Sequence, residues 1–167
     1  RACAPRAAHG DGDRRQHLND AGFYEVSQLL DCPFIASHSD CRVLTQSPRN
    51  LTDEQLRALA AAGGVTGMNA YGPFCETEAH GRSPETLLAH LSHVVENFGY
   101  GHAGIGFDLC DCIESLSASD GGRRNDLFRD HADAACFIEA VRARYPRAQV
   151  SAILGGNFMR VFENVMR

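Results

Sequence analysis

The chain has 167 residues, 44% of them hydrophobic, with 21 acidic against 16 basic side chains and a net charge of -5. That is enough sequence for one globular domain with a real core, and the acidic balance with scattered basic residues argues against a nucleic-acid surface. No apolar run approaches the ~20 residues that cross a bilayer, and the opening RACAPRAAHGDGDRRQ lacks the apolar region of a secretory signal, so no membrane span and a cytoplasmic compartment are expected.

Residues 1–16 carry no helix or strand pattern and are expected to be irregular. Asn19 is placed to cap a helix whose apolar positions are Phe23, Val26, Leu29 and Leu30, with Leu18 and Phe23 spaced as a hydrophobic staple. The short run Pro33 to Ser37 follows and predicts a buried strand ending at His38. Thr52 and Gln55 then form a capping box ahead of the stripe Leu56, Leu59 and Ala60, with Leu51 and Leu56 as a second staple, and Gly63-Gly64 ends that helix.

Val65 to Tyr71 reads as the next strand. Ser83-Pro84-Glu85 starts a helix that carries Leu87, Leu88, Leu91, Val94, Val95 and Phe98 up to Gly99. A strand over Ala103 to Leu109, a polar loop over about 115–125, and helices over Phe128 to Tyr145 and Gln149 to Val165 complete the pattern. Alternating helices and short buried strands predict an α/β fold with a parallel sheet and crossover helices, and a further strand is expected to end near His17.

In such folds loops converge at the C-terminal ends of the strands, so polar residues there are the candidates for chemistry. His38, Asn69, Tyr71 and Asp108 occupy those ends, and His17 stands immediately before the first helix cap. A neutral imidazole suits Zn(II), and an aspartate beside a metal-bound water can take and return a proton. Residue type alone also allows each of these to be an ordinary buried polar group.

Four ordered strings add to this: Ile35-Ala36-Ser37-His38-Ser39, Ser47 to Leu56 (SPRNLTDEQL), Gly104-Ile105-Gly106-Phe107-Asp108, and Leu154 to Phe162 (LGGNFMRVF). In this order and spacing they resemble the membrane (renal-type) dipeptidase family, from about His17 to Asp111 and again from about Ala148 to Val165. The resemblance implies the C-terminal portion of a (β/α)8 TIM-type barrel over 17–167. It implies hydrolysis of dipeptides at a centre with two zinc ions, with a dipeptide as the substrate. It makes His17 and His38 metal ligands, Arg49 the residue that holds the substrate carboxylate, Asp108 the proton shuttle, and Asn69 and Tyr71 pocket-lining residues.

The family's first zinc also uses a His-x-Asp pair and a bridging glutamate upstream of the matched stretch. His9-Gly10-Asp11 lies only eight residues before His17 and is read as a coincidence. The segment GDGDRRQ stands where an apolar strand would lead into His17. With two of the ligands, the 167 residues alone are expected to be inactive, at most one partial zinc site is expected in them, and the exposed sheet edges are expected to cause self-association. The alternatives are a non-catalytic remnant or interaction domain, or a half-barrel that joins a separate N-terminal chain.

Other candidates have plainer explanations. The seven cysteines, an odd number in a chain too large to need a disulfide framework, are read as reduced thiols. Cys110-Asp111-Cys112 has no second pair and is read as loop cysteines. His90 and His93 are expected to be solvated beside the apolar stripe of their helix, with His80, His102 and His131 equally ordinary. Asp53-Glu54 favours a helix dipole.

Overall fold

The computed structural model describes residues 18–109 and 126–166. The expected strand before His17, His17 itself and the Cys110-Asp111-Cys112 loop lie outside the described residues.

Helix α1 (Asp20–Leu29) begins where expected: the Asn19 side chain accepts the Gly22 N–H at 2.8 Å. Helix α2 (Asp53–Ala61) begins with the full capping box, Thr52 Oγ1 accepting the Gln55 N–H and Gln55 Oε1 accepting the Thr52 N–H. Strands β1 (Ile35–Ala36), β2 (Val65–Met68) and β3 (Ala103–Ile105) form one parallel sheet in the order β1-β2-β3. Ile35 pairs with Val65, and Thr66 with Ala103. The strands are shorter than the apolar runs that announce them. Beyond the regular ladder, Ser39 N–H still donates to Gly67 O, and Ala70 N–H to Phe107 O, so the excess residues continue as bonded loop rather than strand.

A single turn, α3 (Gly72–Cys75), precedes α4 (Pro84–Phe98), which buries Leu87, Leu91 and Val94 against the sheet layer. After the second described stretch begins, the chain differs from expectation. The helix expected from Phe128 starts only at α5 (Ala135–Arg144). Residues 126–134 are held irregular because Leu127 N–H donates to Ala70 O, Tyr71 bridges Asp126, and Asp130 Oδ1 accepts the Asp133 N–H. Phe128 nevertheless packs inward against Phe107 and Phe137.

The last expected helix is divided as well, into α6 (Arg147–Ser151) and α7 (Asn157–Val165), joined by a wide turn at Ala152–Gly156. Gly155, at ψ -28° and a φ no helix uses, breaks the run. Helix α7 then grips the entrance to the sheet: Asn157 Nδ2 donates to Tyr100 O and Ala103 O, and Arg160 donates to Gly63 O and Gly101 O. The Phe158 ring fills the place where a side chain at Gly104 would stand. The fourth string of the sequence is therefore structural, at the end of the strands remote from His38 and Asp108.

Candidate active site

The strand ends come together through close backbone approach. A Cβ at Gly106 would stand 1.9 Å from Ser37 O and 3.3 Å from His38 Cα, and one at Gly67 would meet Ser37 O at 2.2 Å. Only glycine permits this contact, and it brings the end of β3 against the residues that carry His38. His38 Nε2 then lies 3.8 Å from Asp108 Oδ2, with the side chains 24% and 42% exposed. Asp108 has φ 53°, a left-handed conformation that aspartate tolerates better than most residues.

His38 Nδ1 lies 2.7 Å from Ser37 Oγ, which fixes the ring plane. If Nδ1 carries the proton it donates to that hydroxyl, and Nε2, on the Asp108 side, keeps its lone pair. This donor chemistry suits one imidazole ligand of a divalent cation. Among the described residues no three His, Cys, Asp or Glu side chains gather into a metal site, so His38 fits such a site without completing it.

Arg49 sits on the loop between β1 and α2 and shares with His38 a pocket of about 250 Å³, whose apolar side is formed by Phe23, Val26 and Phe34. Its guanidinium lies 5.2 Å from the centre of the Phe74 ring, an attractive placement for a cation. Burial draws its pKa down, and the nearby Asp108 carboxylate opposes that shift. Imidazole, carboxylate and guanidinium thus face one region from separate segments of chain.

Tyr71 is half-buried and packs against the Phe74 ring at a tilt of 56°, with 4.8 Å between centroids. Asn69 is buried. Its Oδ1 accepts the Tyr71 N–H at 2.7 Å and its Nδ2 lies 3.5 Å from His38 O, so it ties the two strand ends together.

Asp40 is a residue that sequence reasoning missed. It is fully buried just past His38, its Oδ1 accepts the Asn69 N–H at 3.1 Å, and burial pushes its carboxyl well above the usual range. Its position two residues after a strand-end histidine was visible, but nothing local marks it as buried.

His90 corrects an expectation. It is fully buried rather than solvated: Nδ1 accepts the Cys41 N–H at 3.1 Å, and Nε2 faces Cys75 O at 3.0 Å as donor. Burial lowers its pKa to about 4. The signal was present, because Leu87, His90, Leu91 and Val94 share one helical face. His93 is half-buried and pairs with Asp53 at 2.9 Å, so Asp53 bridges two helices besides favouring its helix dipole. His102 Nδ1 lies 2.8 Å from Gly64 O, while His80 and His131 are exposed. Cys41 and Cys75 are buried free thiols. No helix among the described residues is long and apolar enough to cross a membrane.

The family model described as Membrane dipeptidase (Peptidase family M19) matches residues 16–167. A protein of Klebsiella pneumoniae, described as an uncharacterized protein in the pqqA 5' region, is 30% identical over 153 residues, covering 89% of this chain and 53% of that protein. Dipeptidase verJ of Clonostachys rogersoniana is 28% identical over 149 residues, 89% of this chain and 36% of its own length. Among solved structures, the metallo peptidase from Rhodobacter sphaeroides liganded with a phosphinate mimic of the dipeptide L-Ala-D-Ala superposes with a TM-score of 0.70 at 30% identity, covering 89% of this chain and 41% of that one. The chain spans about half, or less, of the length of these relatives.

Proposed function

This chain belongs to the membrane dipeptidase family, peptidase family M19, and from that premise we propose that it serves the hydrolysis of dipeptides at a metal centre. The observation that carries the reading is the meeting of His38 and Asp108 at 3.8 Å, from the ends of two strands, in reach of the Arg49 charge. The parallel sheet in the order β1-β2-β3 supports the same reading, because an arc of a (β/α)8 barrel would have that order and would carry its active face at the C-terminal strand ends.

Arg49 receives the substrate carboxylate, for which a planar guanidinium offers two parallel donors. Its place over the Phe74 ring, 5.2 Å from the centroid, holds the cation beside the pocket before substrate arrives. Asp108 Oδ2 takes a proton from the attacking water and returns it to the leaving amine. Tyr71 packs against the Phe74 ring that carries Arg49, and Asn69 ties the Tyr71 and His38 backbones together. Zinc, when bound through His38 and His17, supplies the Lewis acid that makes water a nucleophile near neutral pH. The family uses two such ions.

Zinc requires three or four protein ligands. The polypeptide of these 167 residues alone is therefore expected to bind dipeptide without turning it over, and to associate through the edges of β1 and β3 in sedimentation.

The test is titration of alanyl-alanine into the zinc-supplemented chain, with an assay for released alanine. Arg49→Gln should weaken binding about tenfold or more, with no alanine released in any sample. Binding indifferent to Arg49→Gln would overturn the dipeptide reading. Alanine release that disappears in His38→Ala would overturn the expected inactivity.

A further inference from the structure

We propose that Arg42 is a positioning residue that holds Arg49 in its carboxylate-receiving pose, an inference that rests on the dipeptide reading above. Arg42 Nε donates to Asn50 O at 2.8 Å and Nη2 donates to Pro48 O at 3.2 Å. One side chain thus fixes the carbonyls of both neighbours of Arg49. The same guanidinium grips Asp20 of α1 with two prongs, Nη1 to Oδ2 and Nη2 to Oδ1, each at 2.8 Å. Asp20 Oδ1 also accepts from Gln55 Nε2 of α2 at 3.1 Å.

Arg42 is therefore a buckle between the loop of Arg49 and the first turns of two helices. Its side chain is 19% exposed but that of Asp20 is 55% exposed, so solvent screens the ion pair and the hold on the loop rests on the directed bonds to Asn50 O and Pro48 O. A lysine could not reproduce these four directed bonds, because its ammonium lacks the planar fork.

The loop is held from its other side by Asn50. Its Nδ2 donates to Thr45 O at 2.9 Å and to Phe74 O at 2.7 Å. Phe74 is the residue whose ring carries the Arg49 guanidinium. Backbone and ring are thus fixed together, and Arg49 needs little reordering to meet a carboxylate. Without Arg42 the carbonyls of Pro48 and Asn50 lose that donor, and segment 48–50 is held to Phe74 through the Asn50 side chain alone. Recognition of the carboxylate then weakens while the remaining contacts to the ligand persist.

The test compares binding of alanyl-alanine with binding of its C-terminal amide, by NMR titration of the full 167-residue chain. In the wild type the carboxylate form should bind about tenfold or more tightly, and Arg49→Gln should abolish that preference. Arg42→Gln and Arg42→Lys should each cut the preference about fivefold, equivalent to about 1 kcal/mol, with affinity for the amide unchanged. A merely structural role would lower both affinities together and leave their ratio intact. Asp20→Asn, which keeps one acceptor oxygen, should cut the ratio about twofold and serves if the Arg42 variants do not fold.

A full preference in Arg42→Gln, or in Asp20→Asn where that variant is the one available, overturns the proposal while Arg49→Gln shows the dipeptide reading intact. If Arg49→Gln keeps the preference, or the wild type has none, the reading itself fails and the proposal falls with it.

Discussion

Replacing His90 with alanine removes the one side chain that satisfies both the Cys41 N–H and the Cys75 carbonyl in the interior. Leaving buried backbone groups without partners, together with the cavity, is expected to cost about 3–4 kcal/mol at pH 7.5. The same histidine gives a pH signature. Its pKa in the fold is about 4, against an ordinary value of 6.5, because burial disfavours the imidazolium. Between those values the unfolded chain binds the proton and the folded chain does not. The stability is therefore complete above pH 6.5 and is lost as pH falls towards 4, by about 3 kcal/mol at about 1.36 kcal/mol per unit.

Asp20, whose pKa is lowered by its bond to Arg42, also loses stabilisation in acid, whereas buried Asp40 shifts in the opposite sense. Comparing wild type with His90→Ala cancels both. Urea unfolding followed by circular dichroism at pH 7.5 and 4.5 should show the gap of about 3 kcal/mol narrowing to less than about 1 kcal/mol in acid. His90→Gln, neutral and similar in length, should retain more stability at pH 7.5 and share the flatter pH response. Equal acid sensitivity in wild type and both variants would refute the assignment of His90 as a neutral, buried link.

Gly106→Ala places a methyl group against Ser37 O and His38 Cα, and should destabilise the chain by about 1–3 kcal/mol in urea unfolding. Gly101→Ala, where the added Cβ meets nothing within 4 Å, should change stability by less than about 0.5 kcal/mol in the same urea experiment. Thr52→Ala removes the acceptor at the start of α2 and should cost about 1 kcal/mol, read as a lower thermal midpoint by circular dichroism. A Gln55→Ala change on top of it should then cost less than it does in the wild type, because the capping box is reciprocal.

What the sequence made legible is what local chemistry decides. Asn19, Thr52 with Gln55, and Ser83-Pro84 mark the starts of α1, α2 and α4 because caps and first turns are short-range interactions. The strand-end rule selected His38 and Asp108, and they do meet. Long-range bonds decide the rest. The segment after Asp126 has helical spacing, but bonds from Leu127 to Ala70 and between Asp126 and Tyr71 hold it against the sheet. The links of His90 to Cys41 and Cys75, of Arg42 to Asp20, and of Asp40 to Asn69 likewise join residues whose proximity exists only after folding. His90 was the exception that helical spacing could have revealed, because its neighbours on the wheel are Leu87, Leu91 and Val94.

The most direct test of the metallodipeptidase reading is the zinc bound by the purified chain in equilibrium dialysis against excess zinc, beside the variant carrying His17→Ala and His38→Ala. The wild type should bind more zinc than the double variant, at the weak affinity of a two-histidine site, while the double variant's fold, checked by circular dichroism, stays intact. Zinc bound to the same extent by both proteins would contradict the assignment of these histidines as metal ligands.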